Sequence, residues 1–180
     1  MKEKISGEQF WFAITHLDLD TVEHNLNTAS AAVKWAEEHI AHNEASILVG
    51  DMNCSSGIRA AGYNTMKKYW SDSYETAMDA GILDMEYVTY PATCPGDSKI
   101  GMGTEVEWTA MMEERWRFDH IFTDKLKVSS YTNVFDFYTA GDGLEYWPSD
   151  HFPITATISL QSDGLLVAPS LEHDSDETPW

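Results

Sequence analysis

A chain of 180 residues, 43% of them hydrophobic, fits one ordinary domain and has enough apolar side chains for a core. Its 11 Lys and Arg against 30 Asp and Glu leave a formal net charge of -19, which repels polyanions at long range and argues against a broad grip on duplex DNA. No run is long and apolar enough to cross a membrane as a helix, residues 1–8 lack the apolar segment of a signal peptide, and Cys54 and Cys94 are too few for a disulfide scaffold and lack metal spacing.

The first predicted element is "EQFWFAITHLD", residues 8–18, an aromatic and β-branched run that predicts a buried strand. Ser6-Gly7 reads as a turn before it. Residues 23–42 predict a helix, because Leu26, Ala29, Val33, Ala36 and Ile40 recur at helical spacing and form one apolar stripe. "ASILVGD", residues 45–51, predicts a second buried strand stopped by Gly50. Strand, helix and strand in this order make a βαβ-like unit and imply an α/β sandwich. "AAGYNTMKKYW" and "SDSYETAMDAG" predict two short helices, the second capped by Ser71 or Asp72 and ended by Gly81.

Residues 90–107 are rich in Pro, Gly, Thr and Ser and read as a long loop. "WRFDHIFTD" predicts a strand, and "KVSSYTNVFDFY" alternates well enough to pair with it as a hairpin. "FPITATISL" predicts the final strand, with Ile154, Ala156, Ile158 and Leu160 on one face. Residues 162–180 are acidic and polar and read as a disordered tail.

Polar residues gather where these strands end. Thr15-His16-Leu17-Asp18, Gly50-Asp51-Met52-Asn53 and Asp150-His151 flank apolar runs, and Asp119 sits between aromatics in the "WRFDHIF" strand. Ligand sites in α/β folds collect at strand ends. Two carboxylates, an Asn and two His converging there suit a hard divalent cation and a phosphate. A His beside a carboxylate is held in one tautomer and can polarise a phosphoryl oxygen or move a proton. Taken singly, His16 reads equally as a structural His, and Asp51-x-Asn53 as a common turn. Asp119 is harder to dismiss, because a buried carboxylate needs a partner. His120 reads as packing and Cys54 as a bystander.

"ITHLD", "LVGDMN", "RFDHIF" and "PSDHFPI", in that order, resemble the late motifs of the endonuclease/exonuclease/phosphatase family. That family includes DNase I-like nucleases, sphingomyelinases, inositol polyphosphate 5-phosphatases and deadenylases. The resemblance extends over residues 10–160 and implies a metal-dependent phosphoester hydrolase, a phosphodiesterase or phosphomonoesterase using Mg²⁺ or Mn²⁺. By resemblance, Asp51 orients or activates the attacking water and lies near the metal. Asn53 contacts the scissile phosphate, and His16 a phosphoryl oxygen. His151 hydrogen-bonds the phosphate and is paired with Asp119. Asp150 is a metal-proximal carboxylate. Arg117 reads as structural.

The family's fold is a four-layer α/β sandwich of two similar halves, and its first half carries an early Asn and a Glu that is the main metal ligand. This chain starts near the turn before the THLD strand and has neither motif. The expectation is therefore that residues 1–161 form the C-terminal part of such a domain, with 162–180 as the tail. The expected partners are a phosphoester substrate and the missing N-terminal part of the domain, in cis or in trans. A small or membrane-derived phosphoester, or a single-stranded end, suits the charge. The alternative is a catalytically inactive fragment or interaction module.

Overall fold

The computed structural model describes residues 1–2, 7–83, 93, 116–134, 138–139, 145–146, 149 and 151–160. The expected loop, apart from Thr93, the expected tail, Cys94 and Asp150 lie outside them. The described elements are, in order, β1 (Phe10–Ile14), α1 (Val22–His39), β2 (Ala45–Asp51), α2 (Ala60–Met66), β3 (Ser71–Asp72), α3 (Ser73–Asp79), β4 (Asp119–Asp124), β5 (Leu126–Asn133), β6 (Tyr138–Thr139), β7 (Glu145–Tyr146) and β8 (Ile154–Leu160). Among the described residues, no helix is long and apolar enough to cross a membrane.

Strands β1, β2, β4 and β3 form one sheet in that order. β1 runs parallel to β2, as a strand–helix–strand crossover requires, and β4 runs antiparallel to both β2 and β3. Helix α1 begins where the Thr21 side chain accepts the His24 N–H. Its inward face presents Ala29, Val33 and Ala36, and the helix lies close against α2. These residues join Leu48 of β2, Phe122 of β4, and Tyr63 and Met66 of α2 in the main core. Helix α3 starts at Asp72, whose Oδ1 accepts the Tyr74 N–H at 2.9 Å. It packs Tyr74 and Ala77 against Val128 and Tyr131 of β5 in a second core.

Two expectations are corrected. The first strand is not buried: Trp11, Phe12 and Ile14 are 36%, 42% and 74% exposed. Among the described residues β1 is the outermost strand of its sheet, paired with β2 on one side and held on the other near its start, where the Phe10 N–H donates to the Met1 carbonyl at 3.0 Å, so its aromatic run reflects packing potential that these neighbours do not satisfy. Nor does β5 form a hairpin with β4. Both sides of β4 are already occupied, by β2 and β3. Lys125 takes a left-handed φ of 57° and turns the chain into a separate sheet, where β5 pairs antiparallel with β8. The alternation of β5 specified a strand but not its partner.

Candidate active site

The strand register builds the site. Parallel pairing of β1 and β2 continues past Ile14: the Thr15 N–H bonds the Val49 carbonyl and the Leu17 N–H bonds the Asp51 carbonyl, both at 3.0 Å. His16 is thereby carried alongside Asp51. Gly50 makes this approach possible, since a Cβ there would stand 1.8 Å from the Thr15 carbonyl oxygen, and its φ of +143° is itself one that side chains disfavour. Antiparallel pairing of β2 and β4 sets Asp51 opposite Asp119.

Asp51 Oδ1 accepts the Asn53 backbone N–H at 2.8 Å, a tight local turn that holds Asn53 at a φ of 48°. The Asn53 amide nitrogen donates to the Leu17 carbonyl at 2.9 Å and lies 2.9 Å from His16 Nε2. The Leu17 carbonyl can only accept, which identifies that amide atom as nitrogen. An unprotonated His16 Nε2 can accept from it. The same Nε2 is 3.4 Å from Asp51 Oδ2. His151 Nδ1 lies 2.7 Å from Asp119 Oδ2, and its Nε2 points to the other carboxylate, 3.9 Å from Asp51 Oδ2. The His151 backbone N–H is held by Ser149 Oγ at 3.0 Å.

His16, Asp51, Asn53, Asp119 and His151 thus share one cluster. Asp150, the remaining predicted site residue, lies outside the described residues. Burial pushes the Asp51 carboxyl above its ordinary value, and the neighbouring Asp119 charge adds to this. The Asn53 N–H, His151 and His16 pull the other way without cancelling it. The donors offered to a cation are oxygen atoms, which suits Mg²⁺ in type. No group of three His, Cys, Asp or Glu among the described residues is placed to grip a metal, so the donor type fits while the set is incomplete.

Several supporting residues escaped the sequence reading. Asn25 is fully buried, and its amide nitrogen donates to the Asp18 and Met52 carbonyls, both at 2.9 Å, tying the segments that carry His16 and Asn53 to α1. Arg59 donates to the Asn53 carbonyl at 2.8 Å and the Leu19 carbonyl at 2.6 Å. Arg117 is structural, as expected: its guanidinium lies 2.8 Å from Asp72 Oδ2, with both side chains almost wholly buried. His120 does more than pack. It stacks on Phe122, but its Nε2 also meets the Cys54 carbonyl at 2.9 Å and its Nδ1 lies 2.9 Å from Arg117 Nη1. Burial alone would raise the Asp72 carboxyl. The Arg117 charge, with His120 and Tyr63, outweighs burial and holds it well below the usual range. Cys54 is buried and free, and burial pushes its thiol up to about 12, which leaves it inert at neutral pH.

No family model and no curated protein matches the chain. Solved structures do. The mannosyl-6-phosphatase of Bacteroides thetaiotaomicron is 25% identical with a TM-score of 0.61, over 88% of this chain and 54% of that one. An endonuclease/exonuclease/phosphatase family protein from the same organism is 24% identical with a TM-score of 0.63, over 89% and 54%. Beta toxin from Staphylococcus aureus, solved with bound magnesium ions, is 19% identical with a TM-score of 0.54, over 86% and 54%. The mixed sheets and helices, with the polar cluster at the strand ends, define a DNase I-like α/β protein. More particularly, the chain has the endonuclease/exonuclease/phosphatase fold over the part it matches, and spans about half the length of these structures.

Proposed function

We propose that this chain carries the phosphate-handling part of a metal-dependent phosphoester hydrolase. The observation that carries the reading is the 2.7 Å contact between His151 and Asp119, with the other His151 nitrogen turned toward Asp51. An imidazole whose Nδ1–H is fixed by a carboxylate presents Nε2 in one orientation, suited to donating to or accepting from a substrate oxygen. Asp51, with its carboxyl raised by burial, is suited to take a proton from, or orient, the water that attacks phosphorus. His16 flanks Asp51 on the other side and would contact a second phosphoryl oxygen. Asn53 commits both amide hydrogens to Leu17 and His16, so in this arrangement it acts on the phosphate through His16.

A divalent cation, Mg²⁺ or Mn²⁺, would be held by Asp51 and Asp150 together with groups from the rest of the domain, and would polarise the phosphoryl oxygen. That rest of the domain, in cis or in trans, is the proposed partner. The exposed Phe12 and Ile14 on the edge strand are consistent with it. A small phosphoester is the favoured substrate, because the net charge of -19 disfavours duplex DNA and the similarity to a sugar phosphatase points the same way.

The test is a panel of phosphomonoesters and phosphodiesters with Mg²⁺, run on the chain joined to, or mixed with, the complementary part of the domain. Hydrolysis that is lost in both Asp51→Asn and His151→Ala is expected. Hydrolysis that survives both substitutions would remove this site from the reaction.

A further inference from the structure

We propose that Thr93 is a positioning residue for the Asp119–His151 pair; this deepens the reading of that pair as phosphate-handling. Asp119 begins a strand and His151 precedes one in a different sheet, so the strand register does not fix one against the other. Thr93 bridges them. Its Oγ1 accepts two successive backbone N–H groups, from Phe118 and Asp119, both at 2.9 Å. Its own N–H donates to the Trp116 carbonyl at 3.1 Å, and its carbonyl accepts the Phe152 N–H at 2.8 Å. The residue is fully buried, so these bonds have no competition from water.

The consequences are geometric. The peptide joining Phe118 and Asp119 is clamped from both sides, its N–H by Thr93 Oγ1 and its carbonyl by the Met52 N–H at 2.7 Å. Asp119 is thus referred to β2, and hence to Asp51, through Met52. Through Thr93 it is referred to Phe152, the residue after His151. One threonine thereby sets the distance between the carboxylate on β4 and the imidazole ahead of β8. A hydroxyl is needed, because it is the side-chain oxygen that holds the two amides. The methyl group cannot replace it. Losing that acceptor leaves two buried N–H groups unpaired, and the β4 start shifts to find others.

The test compares Thr93→Val, which keeps the shape and removes the oxygen, with Thr93→Ser, which keeps the oxygen. The chain is labelled with ring-nitrogen-15 histidine, and the hydrogen-bonded Nδ1–H proton of His151 is followed by NMR, assigned by its loss in His151→Gln. Amide hydrogen exchange at Phe118 and Asp119 is read in parallel. Thr93→Val is expected to lose or broaden the His151 signal and to raise exchange at those two amides at least 10-fold, while Phe122 stays protected. Thr93→Ser is expected to keep both features. An unchanged His151 signal in a folded Thr93→Val chain overturns the proposal, as does its loss in Thr93→Ser. Should Thr93→Val not fold, the Ser variant still decides, because a side chain needed only for its bulk would fail there too. Where turnover is measurable with the complementary part present, Thr93→Val is expected to lower kcat about 10²-fold with KM little changed, the cost of roughly 1 Å of misplacement. Loss of the NMR signature without any turnover in the wild type would keep the positioning role and refute the hydrolase reading alone.

Discussion

Replacing Arg117 with Met tests whether the buried polar network holds the wall behind the site. Arg117 and Asp72 have side chains 1% and 0% exposed, with 2.8 Å between Nη1 and Oδ2. Arg117 also lies over the Tyr74 ring, 4.4 Å from its centroid, and its Nη2 donates to the Tyr63 hydroxyl at 3.2 Å. Breaking a buried pair by removing one partner costs about 3–5 kcal/mol, because a desolvated charge is left behind. Here the stranded carboxylate keeps the Tyr63 hydroxyl at 2.8 Å and the Tyr74 N–H at 2.9 Å, so the lower end, about 3 kcal/mol, is expected. Urea unfolding followed by tryptophan fluorescence would read this as a lower midpoint with an unchanged slope. The pH dependence supplies a second check. A carboxyl held below its ordinary value binds its proton more weakly in the folded state. Its contribution is therefore complete above the unfolded pKa of about 3.9 and is lost as pH falls through the folded value. In Arg117→Met that acid loss should shrink. A variant within about 1 kcal/mol of wild type, with the same acid slope, would refute a strong pair and place Arg117 with replaceable packing.

Gly50→Ala should destabilise by about 3 kcal/mol or more, since the clash at 1.8 Å is with backbone and cannot be relieved by a rotamer; urea unfolding would measure it. Asp51→Asn should have the opposite effect at neutral pH. A raised carboxyl makes the unfolded chain ionise first, so wild-type stability falls as pH rises from about 4 toward the folded value and stays reduced above it. The variant should therefore melt higher than wild type at pH 7 and level with it well below pH 4, as thermal melts across that range would show. Isothermal titration of the chain with Mg²⁺ should give a Kd weaker than about 1 μM, because one or two carboxylates make an incomplete site, and micromolar or tighter binding would contradict it.

The elements that local pattern determines were legible. Helix α1 was readable from its apolar spacing, and the strand–helix–strand unit from the order of its parts. The stop at Gly81 was readable from a residue that tolerates its φ of 65°. What failed was partnership. β1 carries the side chains of a buried strand, yet exposure depends on what covers it. β5 alternates whether it pairs with β4 or with β8, and only the occupied edges of β4 decide between them. Asp72 was readable as a helix cap, and one of its oxygens does cap α3. That the other enters an ion pair with Arg117 is a contact across 45 residues that no local pattern encodes. Thr93 lies in a Pro- and Gly-rich stretch where a threonine attracts no notice, and its importance arises from the four backbone groups around it. The meeting of His16, Asp51, Asn53 and Asp119 was foreseeable because each sits at the end of a strong strand, and the register of β1, β2 and β4 brings those ends together.

The electrostatics of that place argue for what the site lacks on its own. Asp51 and Asp119 stand directly opposite each other in antiparallel register, where like charges are destabilising. Each has a histidine beside it: His151 at 2.7 Å from Asp119, and His16 at 3.4 Å from Asp51. The balance is uneven. His151 bonds Asp119 directly, whereas at 3.4 and 3.9 Å both histidines are beyond a good hydrogen bond to Asp51 Oδ2. Asp51 is thus the carboxylate whose negative charge is least compensated, and burial raises its carboxyl further. A fold selected for stability alone would place an amide or an apolar residue at that strand end. Retaining a carboxylate there, braced by Asn53 in front and by Asn25 and Arg59 behind, makes sense if positive charge or a transferable proton arrives with the substrate. The same reasoning makes the Asp51→Asn melt informative about function: a gain in stability at pH 7 would measure the strain that the charged form imposes on the fold.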